Sequence, residues 1–148
     1  MTVEHFDIGK IAKSAYESAV KARGKINILL VGKTGTGKST LVNAIFSGKM
    51  AETGQGRPVT QHMRCYTKEG SPVSIYDTKG LEIKAYKEIL EDLENKVRDI
   101  NRSENPSDHI HVAWFCVAEG SRRIEPAERA LFQTLESLSI PVIIVITT

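Results

Sequence analysis

Ile26-Asn27-Ile28-Leu29-Leu30-Val31-Gly32-Lys33-Thr34-Gly35-Thr36-Gly37-Lys38-Ser39 decides the fold. An apolar run of strand type leads directly into a match for the phosphate-binding loop G-x-x-x-x-G-K-[ST] at every defined position. Gly32, Gly35 and Gly37 permit a tight turn whose backbone amides converge as an anion-binding nest. Thr40-Leu41-Val42-Asn43-Ala44-Ile45-Phe46 then reads as a helix ending near Gly48, its positive N-terminus facing the same anion. Strand, loop and helix in this order predict a nucleoside triphosphate site with magnesium, built from Gly32, Lys33, Thr34, Gly35, Thr36, Gly37, Lys38, Ser39 and Thr40. Lys38 supplies a point charge to the β- and γ-phosphates, and the Ser39 hydroxyl is a hard oxygen ligand suited to magnesium.

Outward from this loop the chain alternates between strand and helix patterns. Ser47 to Thr60 is polar and glycine-rich, long enough to serve as a mobile functional loop. His62–Lys68 and Val73–Asp77 read as two strands joined by a turn at Glu69-Gly70-Ser71-Pro72. Helical spacing runs from Leu81 to about Arg102 through Ile83, Tyr86, Ile89, Leu90, Leu93 and Val97. His109–Ala118 reads as a strand buried on both faces, Pro126 opens a further helix, and Pro141–Ile146 is another buried strand. The pattern predicts an α/β fold with a doubly wound, mostly parallel sheet and the phosphate loop at its carboxyl edge. Residues 1–24 are expected to form an N-terminal amphipathic helix with a stripe through Ile8, Ile11, Ala15 and Val20, ahead of a domain over 25–148.

Bulk properties exclude several classes. At 148 residues and 41% hydrophobic, the chain can bury one core. A net charge of +2 is too small for nucleic-acid or acidic-membrane binding by bulk electrostatics. There is no apolar signal-peptide core, and no uncharged run reaches the roughly 18–20 residues of a membrane span. Cys65 and Cys116 lack CxxC spacing and read as reduced thiols of a cytoplasmic protein. His109 and His111 read as ordinary strand histidines rather than metal ligands.

Asp77 closes a strand and is followed by Thr78-Lys79-Gly80, where a carboxylate can hold a magnesium-bound water and the Gly80 amide can reach a γ-phosphate. This segment resembles the γ-phosphate sensor of GTPases, and Thr78 stands where many ATPases carry Glu. The chain is similar, over about residues 25–148, to small P-loop GTPase domains of the Era/TrmE-related, HSR1-type group. Its phosphate loop also resembles those of septin, Toc and GIMAP GTPases, and the segments Trp114-Phe115-Cys116-Val117 and Glu119-Gly120-Ser121-Arg122-Arg123-Ile124-Glu125-Pro126 resemble bacterial HSR1-related members.

The resemblance implies a Ras-like topology, GTP binding, slow Mg2+-dependent hydrolysis to GDP and phosphate, and switch loops that rearrange between the two states. It places Thr60 at the switch-one threonine, a magnesium ligand in the triphosphate state. Lys38, Thr60 and Gly80 become the implied catalytic set, with Ser39, Thr60 and, through water, Asp77 as the metal set.

Two departures bear on this. Leu81 stands where Ras-type enzymes carry a water-positioning glutamine, and Gly35 where TrmE-like members carry a potassium-binding asparagine. Arg57, three residues before Thr60, matches the spacing of an internal arginine finger and is a candidate substitute. The guanine-reading Asn/Thr-Lys-x-Asp motif would begin at Thr147-Thr148, so the sequence is expected to be a truncated piece that lacks the family's last strand and helix. The leading expectation is a regulatory switch that slowly hydrolyses GTP and has an activating protein partner or a homodimer. The alternatives are GTP-dependent dimerisation or assembly with little turnover and, less favoured, a membrane-associated scaffold using the N-terminal helix.

Overall fold

Leu29, Leu30 and Val31 are almost wholly buried, which requires their strand to be central and covered on both faces. In the computed structural model, which describes residues 9–11, 14, 18, 24–47, 56–80, 86–120 and 123–147, that is where it lies. β1 (Ile26–Gly32) is flanked by β4 (Val73–Thr78) and β5 (Val112–Ala118), both parallel to it. β6 (Val142–Thr147) continues the sheet in parallel beyond β5. On the other side, β3 (Met63–Thr67) pairs antiparallel with β4, and β2 (Arg57–Thr60) antiparallel with β3. The order is β2-β3-β4-β1-β5-β6. The sheet is therefore α/β and mostly parallel, as the alternating pattern predicts.

The period-2 alternation of strand side chains divides the core between two faces. Ile28, Leu30, Val73, Ile75 and Cys116 pack with Val42 and Phe46 of α1 (Lys38–Phe46). Leu29, Val31, Met63, Ala113 and Phe115 pack with α2 (Tyr86–Ile100) and α3 (Pro126–Ser137). α2 buries Ile89, Leu90, Leu93 and Val97 along one stripe, and an Arg98–Glu94 pair at 2.9 Å lies on its solvent side. α3 starts on Pro126, with a capping box between Glu125 and Glu128.

Because α1, which follows β1, packs on one face of the sheet and α2, between β4 and β5, on the other, a crevice opens at the carboxyl end of β1, and the phosphate loop fills one side of it. Between α2 and β5 the polar segment 101–108 ends in a turn of 3-10 helix, Pro106–Asp108. His109 and His111 precede β5 rather than lying within it. Their Nε2 atoms sit 2.6 and 2.8 Å from the carbonyls of Ser103 and Pro106, and Asn27 N donates to His111 Nδ1 at 2.9 Å. Both cysteines are free and buried. The polar stretch before Thr60 departs from the loop expectation: 57–60 forms β2, because Val59 packs on the α2 side and Arg57, Pro58 and Thr60 have partners on β3. Described residues 9–11, 14 and 18 are helical, and Ile11 is exposed; most of the expected apolar stripe, and Leu81, lie outside the described residues.

Candidate functional site

β1 and α1 deliver the phosphate loop to the sheet's carboxyl edge, and β4 delivers Asp77 opposite Leu30. Thr34, Gly35, Gly37, Lys38, Ser39 and Thr40 form one wall of a cleft of about 480 Å3, with Asp77, Thr78, Lys79 and Gly80 as the other. Gly35 and Gly37 take φ of 82 and 84, the left-handed conformation in which a side chain is strained. Gly37 is the N-cap of α1 and has no side chain to occupy the first-turn amides, which stay free for an anion.

Lys38 is buried, and its Nζ donates to the carbonyls of Gly32 at 3.1 Å and Lys33 at 3.0 Å. Burial pushes its pKa down, opposed by the charge of Asp77. Burial likewise raises the Asp77 carboxyl to about 6, against the pull of Lys38. Asp77 Oδ1 is buried with no hydrogen-bond partner. A buried acceptor left unpaired costs on the order of 1–3 kcal/mol, so this oxygen is poised for a donor the protein does not supply. An orphaned carboxylate oxygen facing a cleft that also contains the Ser39 hydroxyl fits a hard, water-carrying divalent cation.

Gly80 is pressed against the loop: a Cβ added there would lie 2.6 Å from Thr34 N. The two walls of the cleft thus touch with no room for a methyl group.

Lys33, Thr36 and Gly32 belong to the loop but do not line the cleft. Lys33 Nζ lies 2.6 Å from Glu125 Oε1 and 3.4 Å from Glu128 Oε1, at the start of α3. The Thr36 hydroxyl donates to the Lys33 carbonyl at 2.8 Å and is turned inward. Gly32 backs onto β5, where a Cβ would stand 2.7 Å from the Cys116 carbonyl. At the same carboxyl edge, the Thr147 hydroxyl donates to the Thr36 carbonyl at 2.6 Å, tying the tip of β6 to the loop.

Neither Arg57 nor Thr60, both expected at the site from sequence, lines this cleft in the nucleotide-free structure. Arg57 is in register with Cys65 and through it with Tyr76, so it shares the sheet face of Tyr76 and lies opposite that of Asp77. It lines a separate polar pocket with Lys25, Asn27, Ser74 and Asp108. Thr60 donates its hydroxyl to Asp92 Oδ2 on α2 at 2.6 Å and accepts from His62 N at 3.0 Å.

Asp92, Glu125, Glu128 and Thr147 are absent from the sequence-based set. Only Glu125-Pro126-Ala127-Glu128 carries a local signal, the spacing of a capping box. The other contacts join residues far apart in the chain.

Residues 27–148 match the sequence family described as 50S ribosome-binding GTPase. The chain belongs to this GTPase family. One relative, the small ribosomal subunit biogenesis GTPase RsgA 1 of Oceanobacillus iheyensis, is 34% identical over 83 residues, which cover 51% of this chain and 23% of that protein. Toc33 from Arabidopsis thaliana, solved as a dimerization-deficient mutant, superposes with a TM-score of 0.62 at 19% identity over 93% of this chain and 57% of that one. A probable GTP-binding protein engB gives 0.55 at 20% identity over 81% of this chain and 69% of that one. These structural likenesses establish the fold of the GTPase domain.

Proposed function

We propose that the chain binds GTP with Mg2+ and hydrolyses it slowly to GDP and phosphate, as a nucleotide-dependent regulatory switch. The observation that carries this reading is the pairing of buried Lys38 with an Asp77 whose Oδ1 has no partner, across a cleft floored by free helix amides. Family membership and the solved complex of Toc33 with GDP and Mg2+ lend support.

In this reading the loop amides and Lys38 hold the β- and γ-phosphates, with Lys38 leaving the carbonyls of Gly32 and Lys33 for phosphate oxygens. Ser39 and a water on Asp77 hold the cation, and Thr60 joins them in the triphosphate state. Mg2+ held by these groups would supply positive charge against the phosphate oxygens; in hydrolysis, water adds to the γ-phosphorus and the bond to the bridging β-phosphate oxygen breaks, leaving GDP and phosphate. The Gly80 amide senses the γ-phosphate.

The test is equilibrium binding of fluorescent GTP, GDP and ATP analogues with and without Mg2+, followed by phosphate release. Preference for guanine and Mg2+ dependence that is lost in Asp77→Asn are expected; equal, Mg2+-independent binding of all three overturns the reading.

A dimerising GTPase is the second reading, favoured by the likeness to Toc33, whose structure was solved in a dimerization-deficient form. Light scattering with GDP and with a non-hydrolysable GTP analogue separates the two: a switch keeps its mass, whereas an assembly module doubles it in one state.

A further inference from the structure

Thr60 is held away from the cleft by a specific arrangement. Its hydroxyl hydrogen goes to Asp92 and one oxygen lone pair to His62 N. The same turn also approaches α2 where His62 Nε2 lies 3.7 Å from Glu88 Oε1, one helical turn before Asp92, a contact that is an ion pair only when the imidazole is protonated. Its backbone also reaches the opposite wall: Lys79 N donates to the His62 carbonyl at 2.7 Å, next to Gly80. The β2–β3 turn is therefore placed between α2 and the segment that would sense a γ-phosphate. The β2–β3 register also shifts between Pro58 and Thr60, so Thr60 sits at an irregularity of a four-residue strand on the outer side of the described sheet. Such a residue can leave its place without unzipping β3 from β4.

We propose that Asp92 is a positioning residue that sets the preference for triphosphate over diphosphate, by holding Thr60 off the cleft until a γ-phosphate and its cation recruit it. The proposal rests on the reading of Thr60 as a ligand in the triphosphate state. A hydrogen bond to a carboxylate shifts an equilibrium by roughly tenfold or more. Thr60 must give up that bond to enter the cleft, whereas the diphosphate state makes no use of Thr60 and leaves it in place. Asp92 therefore subtracts from triphosphate affinity alone and holds down the margin by which triphosphate is preferred over diphosphate.

Titrations with fluorescent GDP and a fluorescent non-hydrolysable GTP analogue, both with Mg2+, provide the test. Asp92→Ala is expected to tighten the triphosphate analogue about tenfold and to leave GDP within about twofold. Asp92→Asn, whose amide oxygen still accepts from Thr60 without the charge, falls between. In a Thr60→Val background, Asp92→Ala changes neither affinity. Hydrogen exchange on the nucleotide-free chain adds a readout independent of binding: the amides of residues 60 and 62 exchange faster in Asp92→Ala, while those around Leu93 do not. Intact GDP binding with an unmoved or weakened triphosphate affinity, or the same gain in the Thr60→Val background, overturns the proposal alone. A wild-type chain that binds neither nucleotide brings down the reading of Thr60, and this proposal with it.

Discussion

Tyr76 and Asp77 are neighbours on β4 that face opposite sides of the sheet, and much of the site's chemistry follows from that alternation. Asp77 is half-buried beside Lys38, with its pKa raised from 3.8 to about 6 by desolvation. The folded chain therefore holds this proton more tightly than the unfolded chain does. Without ligand, stability should rise as pH falls through about 6 toward 4. Chemical denaturation at pH 7.5 and 5 should show this gain, and Asp77→Asn should flatten it. Magnesium-dependent binding has the opposite sign, since a protonated Asp77 cannot accept from a metal-bound water; triphosphate affinity should weaken below pH 6 in the wild type. Arg57, on the Tyr76 side, is expected to be dispensable: single-turnover hydrolysis by Arg57→Ala should stay within about twofold of wild type, whereas an arginine finger would cost roughly a thousandfold. Gly80→Ala should weaken triphosphate binding, because the added methyl meets the Thr34 backbone and forces the two walls apart.

At the scale of elements, β1, the phosphate loop, α1 and the Asp77 strand end are legible in the sequence because each is specified locally. An apolar run, three glycines and a helical stripe need no distant partner to be recognised. Arg57–Thr60 is not legible in this way. Its composition is that of a loop, and only pairing with β3 and the packing of Val59 make it a strand. The partner of Thr60 lies 32 residues away on α2, and that of Thr36 lies 111 residues away on β6, separations that no local pattern encodes. Within α2, Leu93 is buried among Leu29, Ile89 and Val97. Leu93→Ala should cost about 2–5 kcal/mol in urea denaturation by leaving a cavity. The α2 stripe that makes this helix legible is the same one that fixes which way Glu88 and Asp92 point.

For the whole molecule, the two-faced core puts phosphate recognition on the α1 side and the tether of Thr60 on the α2 side, with β4 between them. No helix among the described residues is long and apolar enough to cross a membrane. β6 is the outermost described strand on its side, and Ile143, Ile144 and Ile146 are 52%, 56% and 69% exposed. An apolar strand edge is a template for further pairing. The 148-residue chain should therefore associate with rising concentration irrespective of nucleotide, and Ile146→Lys should reduce that association in light scattering. Nucleotide-independent growth of this kind is distinguishable from the doubling in one nucleotide state that an assembly module would show.

The bond from the Thr147 hydroxyl to the Thr36 carbonyl has a metrological consequence. Glu119 N also donates to the Thr147 carbonyl at 2.7 Å, so the tip of β6 is pinned to the β5 end as well as to the phosphate loop. Any base-reading group carried just past that tip would be referenced to the loop through a single direct hydrogen bond, steadied by the one to the β5 end, rather than through the length of the sheet. The span between base and phosphates would then work as a fixed gauge, accepting a nucleotide by its length as well as by its charge.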